Sequence, residues 1–148
     1  MEPKKLIVSN SVLLGEAVQM LENGKDVVIP TKGNSMLPFI HGEKDTVTLR
    51  KMDGYAVGDI VLARIGGAYI LHRIWAMDGS RVTLMGDGNL RGKETCRIED
   101  LHGTVTSINK PSGKTVDPFS KSHNRRAAIW RKLLPLRRII LGIYRRLI

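Results

Sequence analysis

The chain has one cysteine, Cys96, among 148 residues. No disulfide can form within it, and no cysteine-based metal site is expected. That usage fits a reducing compartment. Aromatic residues make up only 5%, so Val, Ile and Leu must fill the core. No segment reaches the roughly 18 apolar residues of a spanning helix. The start, "MEPKKLIVSNSVLL", has no apolar stretch long enough for a secretion signal. The expectation is a cytoplasmic or peripherally membrane-associated protein. Acidic residues are missing at one end only. From residue 121 onward there are nine Lys and Arg and no Asp or Glu, whereas residues 1–120 carry 15 basic against 14 acidic residues. The net charge of +10 therefore belongs to the tail and not to the body.

What is present reads as one domain of ordinary size, with an appendage. Residues 11–23 follow helical spacing, with Leu14, Ala17, Val18 and Leu21 on one face and Gly24 as the stop. The period then changes. "DVVIP", "DTVTLRK", "DIVLARI", "YILHRIW", "RVTLMG" and "GTVTSI" are short, β-branched and separated by Gly/Asp turns. Such a series predicts a compact, mainly antiparallel β domain. "MDGS" at 77–80 predicts a hairpin turn. Residues 109–118, with two prolines and a glycine, read as a linker. Two helices follow, around 124–133 and from 136 onward, with Pro135 between them.

Three residues draw attention for chemistry. Ser35 lies in "KGNSMLP" and by itself reads as a turn residue, because a serine hydroxyl needs a neighbouring base to become a nucleophile. Of four histidines, His41, His102 and His123 read as solvated or structural. His72 lies within a strand, on the face of Ile70 and Ile74, with Arg73 on the other face. A histidine there is usually a core residue, but burial also favours the neutral imidazole of a general base. Asp87, in "MGDGN", reads as a turn aspartate. If the 69–85 hairpin pairs regularly, Asp87 emerges beside the His72 strand and can hold the imidazole.

The succession "GNSMLP", "GDIV", "ILHRI", "MGDGN" over roughly residues 30–108 resembles the signal peptidase I family. The self-cleaving LexA-type repressors share its β fold. The resemblance implies that Ser35 matches the nucleophile, His72 the general base and Arg73 the arginine after the base. A histidine base is similar to the archaeal and endoplasmic-reticulum type and differs from the Ser-Lys dyad. Asp87 matches the acidic residue of the Gly-Asp-x-Asn segment. Glu94 falls near a second acidic position that is usually aspartate, and a salt bridge to Arg73 is one role for it. Which of Asp87 and Glu94 is the triad acid stays open. A hydroxyl found two residues before the nucleophile in many bacterial signal peptidases is replaced here by Gly33, so the second oxyanion donor is another backbone N–H, the Asn34 amide, or none. The membrane anchor usual in signal peptidases and the helix-turn-helix of LexA-type proteins are not evident.

The resemblance implies a serine endopeptidase acting on a precursor or leader peptide, with no metal and no cofactor. The rivals are a non-catalytic peptide- or membrane-binding module on the same fold and, less favoured, a LexA-type regulator. The expected division is a helix and lead-in strand at 1–29, a catalytic β domain at 30–108, the linker at 109–118 and a basic helical tail at 119–148. In that tail Leu136, Ile139, Ile140, Ile143, Tyr144 and Leu147 share a helical face, with Arg137, Arg138, Arg145 and Arg146 off it. Residues 124–148 either pack on the β body or lie on an anionic membrane surface. Nucleic acid is a weaker candidate, because no stacking platform accompanies the arginines.

Overall fold

A computed structural model describes residues 11–148. Residues 1–10, the first part of the expected 1–29 segment, lie outside the described residues. Helix α1 (Ser11–Glu22) buries Ala17 and Leu21 completely. It ends where Gly24 takes φ +77°. There the Gly24 N–H donates to Leu21 O and the Lys25 N–H to Met20 O, the paired closure of a Schellman motif.

Eight strands follow: β1 (Val27–Pro30), β2 (Thr46–Arg50), β3 (Ile60–Ile65), β4 (Ala68–Asp78), β5 (Arg81–Met85), β6 (Glu94–Arg97), β7 (Leu101–Asn109) and β8 (Thr115–Val116). They form one sheet in the order β1-β2-β7-β3-β4-β5-β6, with β8 added to the end of β7. Every pairing is antiparallel. The mainly β class with an N-terminal helix and C-terminal helices is thus the observed architecture. Strand β6 has no periodic signal in the sequence, because "ETCR" offers one apolar residue, Cys96, to bury. Within the stretch read as a linker, β8 folds back on β7 through the turn at Gly113.

Strand alternation sorts the side chains into two cores. One lies under α1 and holds Leu21, Val27, Val47, Leu49, Ile60 and Val105. The other, on the opposite face of β3–β5, holds Val61, Ile74, Val82, Leu84 and Cys96. Helices α2 (Lys121–Lys132) and α3 (Arg137–Leu147) build a third with the loop after β1, from Leu37, Trp130 and Leu141 flanked by Phe39, Ile140 and Tyr144. A 3-10 turn over Leu134–Leu136, with Pro135 inside it, joins the two helices.

The tail face read from the sequence therefore divides. Ile140 and Tyr144 pack inward, while Leu136, Ile139, Ile143 and Leu147 stay exposed. Arg137, expected off the apolar face, is buried instead. Its guanidinium donates to the carbonyls of Asn89 at 3.0 Å and Trp130 at 3.4 Å, and those acceptors are what draw a charged group inside.

Trp130 anchors this docking through its ring and through an Nε1–H bond of 2.7 Å to the Asp87 carbonyl. Trp130→Ala should lower unfolding stability by about 3–5 kcal/mol. Urea titration followed by circular dichroism measures it, and a loss under about 1 kcal/mol would mean that the tail is not part of the cooperative fold.

Candidate active site

Ser35 sits in the loop between β1 and β2, which closes on itself at its neck. The Thr31 hydroxyl donates to the Asp45 carbonyl at 2.9 Å, and the Glu43 N–H donates to Thr31 O at 2.8 Å. Gly33 has φ +76° and its N–H donates to the Glu43 carboxylate at 3.0 Å. Gly42 lies directly on it; a β-carbon at Gly42 would meet Gly33 O at 2.0 Å. The Ser35 carbonyl accepts from the Gly88 N–H at 2.8 Å, which fixes this loop to the segment after β5. Met36 is buried beneath, with its sulfur facing the Asp87 N–H at 3.5 Å.

The His72 strand departs from a regular hairpin. From the turn, Asp78 pairs Arg81, Met77 pairs Val82 and Ala76 pairs Thr83. Then Ile74, not Trp75, pairs Leu84, and Arg73 pairs Met85. Trp75 is an extra residue, and the strand is bulged there. In antiparallel pairing, directly opposite side chains share a face. Arg73 therefore shares the face of Met85 and, two residues on, of Asp87.

The Arg73–Asp87 pair is bidentate: Nε donates to Oδ1 at 2.9 Å and Nη2 to Oδ2 at 2.8 Å, with the two side chains 11% and 6% exposed. Arg73 Nη1 also donates to Gly58 O at 2.9 Å. His72 keeps the other face, that of Ile74, Leu84 and the opposing Glu94 of β6. Its Nδ1 meets Glu94 Oε1 at 2.5 Å. This geometry corrects the expected partners: Glu94 meets His72, and Asp87 meets Arg73. The slip of one residue at Trp75 exchanges the faces.

Gly86 is where the elements converge. A β-carbon there would lie 2.3 Å from Ser35 O, 2.9 Å from Asn89 Nδ2 and 3.0 Å from His72 Nε2. At Gly88 it would lie 2.2 Å from Asn34 O. Two glycines thus let the serine loop lie on the chain after β5, which gives "MGDGN" its composition. Among the described residues, the Ser35 hydroxyl has no hydrogen-bond partner, so no bond joins it to His72 at rest. Asn34 is exposed, and the Gly33 N–H is already used by Glu43. Beside Ser35 and His72 opens a cleft of about 500 Å³, walled by Ile29, Met36, Ile40, Leu62 and Tyr69. Among the described residues, Lys32 is the one charged side chain in its lining, and no carboxylate joins it.

A family model described as Peptidase S24-like matches residues 5–103. The chain belongs to this family. Among curated proteins, none gives a significant match. The matched span takes in Ser35, His72, Arg73, Asp87 and Glu94, and the peptidase-like fold is the one described above.

No local pattern in the sequence signals the part that the tail plays here. The Asp87 carbonyl is held by Trp130, and the Gly86 and Asn89 carbonyls face Arg137. His123, in α2, lies under the Phe39 ring, 3.3 Å from Arg73 Nη2. Guanidinium nitrogens only donate, so His123 Nε2 accepts and its proton resides on Nδ1. Burial first, and then the Arg73 charge, push its pKa from the usual 6.5 down to about 4.

In the unfolded chain this imidazole takes up a proton near 6.5, and in the fold only near 4. Between those values the unfolded state binds more protons. The stability from His123 is complete above the unfolded value and is lost as pH falls through that window. Thermal midpoints should drop from about pH 7 to about pH 4, and His123→Gln should flatten that part of the profile. An equal slope in wild type and variant would assign the titration to another group.

Proposed function

We propose that the protein is a serine endopeptidase that cleaves a precursor or leader peptide, with Ser35 as nucleophile, His72 as general base and Glu94 as the group that orients the base. One observation carries the reading. The His72 imidazole is held at Nδ1 by Glu94, and its Nε2 lies at the glycine on which the Ser35 backbone rests. A nucleophile, a base and an orienting carboxylate in that order are what acyl transfer needs.

In the proposed reaction Ser35 Oγ attacks the peptide carbonyl carbon while His72 Nε2 takes the hydroxyl proton. The imidazolium is stabilised by Glu94. The carbon–nitrogen bond breaks as Nε2 returns the proton to the leaving amine. Water then attacks the acyl group, gives its proton to Nε2, and the carboxylic acid leaves as Ser35 is reprotonated. The Ser35 N–H is the first candidate oxyanion donor, with the N–H or side-chain amide of Asn34 as the second; each such donor contributes about 3 kcal/mol at the transition state. Arg73 and Asp87 are positioning residues in this scheme. Their pair holds the base strand against the loop after β5, and removing one buried partner typically costs about 3–5 kcal/mol. The apolar cleft suits an extended peptide with small uncharged side chains, as the family resemblance implies.

The unbonded Ser35 hydroxyl favours one alternative, a module of the same fold that holds a peptide without cutting it. A fluorophosphonate probe separates the two. The peptidase reading expects labelling at Ser35, none in Ser35→Ala, and at least about 100-fold slower labelling in His72→Ala. Folded wild-type protein that stays unlabelled would leave the binding module in its place.

A further inference from the structure

We infer that the outer face of α3 docks on an anionic lipid bilayer. The helix has two faces with different duties. The inner one is committed: Leu141 and Arg137 are buried, and Ile140 and Tyr144 pack beside them. The outer one carries an aliphatic stripe at helical spacing, begun by Leu136 in the turn just before the helix. Leu136 is 51% exposed, Ile139 63%, Ile143 57% and Leu147 79%. Four large aliphatic side chains in one line, all left in water, are unusual on a protein with cores available elsewhere.

The flanks of the stripe indicate the partner. Arg138, Arg145 and Arg146 are exposed beside it, and no acidic residue occurs after Asp117. An aliphatic stripe bordered by arginines matches acyl chains below a layer of negative headgroups. Nucleic acid would engage the arginines and leave the aliphatic stripe in water. A second copy of this face would cover the stripe, but a symmetric pairing brings arginines against arginines. The helix cannot cross a bilayer: among the described residues, none is long and apolar enough. It therefore lies along the surface.

The patch does not stop at the helix. Leu90 and Arg91 line one hollow with Leu134, Pro135 and Arg138. Leu90 follows directly on Asn89, in the loop that carries Gly86 and Asp87. Docking by α3 thus sets that loop, and the Ser35 side of the molecule, next to the lipid. The surface stands whether or not Ser35 is a nucleophile.

Sedimentation of the full chain with vesicles tests it. Vesicles of phosphatidylcholine with about one third phosphatidylglycerol should carry the protein down at least about tenfold more strongly than phosphatidylcholine alone, and salt near 0.5 M should weaken the effect. Ile139→Glu with Ile143→Glu should abolish sedimentation while leaving the circular dichroism spectrum unchanged, because both side chains are exposed. Arg145→Gln with Arg146→Gln should remove most of the preference for the anionic vesicles. No sedimentation by wild type overturns the inference. So does sedimentation that survives the double Ile substitution, or a dimer in light scattering that this substitution dissolves.

Discussion

One extra residue in β4 decides which carboxylate meets the imidazole and which the guanidinium. Trp75 has no partner across the hairpin, so the strand beyond it pairs one position out of step. From that slip follow the buried Arg73–Asp87 pair on one face and the His72–Glu94 pair on the other. The bulge is itself secured. Arg131 of α2 donates to the Trp75 carbonyl at 2.7 Å and lies over its indole at 3.9 Å, and Lys93 covers that indole at 4.8 Å. Without this support, regular pairing would return His72 to the Asp87 side and leave Glu94 facing Arg73 across the sheet.

The C-terminal helices belong to the machinery of the site more than to its periphery. Trp130 and Arg137 hold the carbonyls of 86–89, His123 faces Arg73, and Arg131 holds the bulge. Tyr144 reaches the serine loop through His41, which shares a 2.5 Å hydrogen bond with it. The same loop is tied by Asp45, whose carboxylate accepts from the His41 N–H at 2.8 Å and from Lys110 at 2.7 Å. A charge of one sign thus serves two ends: inward-facing arginines satisfy carbonyls, and outward-facing ones remain in solvent.

Most of the architecture can be read from the residues. The α1 face, six of the strands, the 77–80 turn and the break at Pro135 all follow from local periodicity and turn chemistry. Strands β6 and β8 do not, because Glu94–Arg97 and Thr115–Val116 bury almost nothing of their own and form by pairing with neighbours already in place. The order Ser35, His72, Asp87, Glu94 names residues that the fold brings close together. The partners of the two acids stayed hidden. A bulge leaves no local signature in "YILHRIW", and its stabilising contact comes from Arg131, 56 residues away. The burial of Arg137 was hidden for the same reason, since its acceptors lie on a distant loop.

Glu94, and not Asp87, meets the His72 imidazole. Proton NMR in the low-field region reads this directly, because an Nδ1–H shared with a carboxylate in a short bond is strongly deshielded and exchanges slowly. A resonance that correlates with the His72 ring should disappear in Glu94→Gln and persist in Asp87→Asn. A resonance that persists in Glu94→Gln and disappears in Asp87→Asn would contradict it.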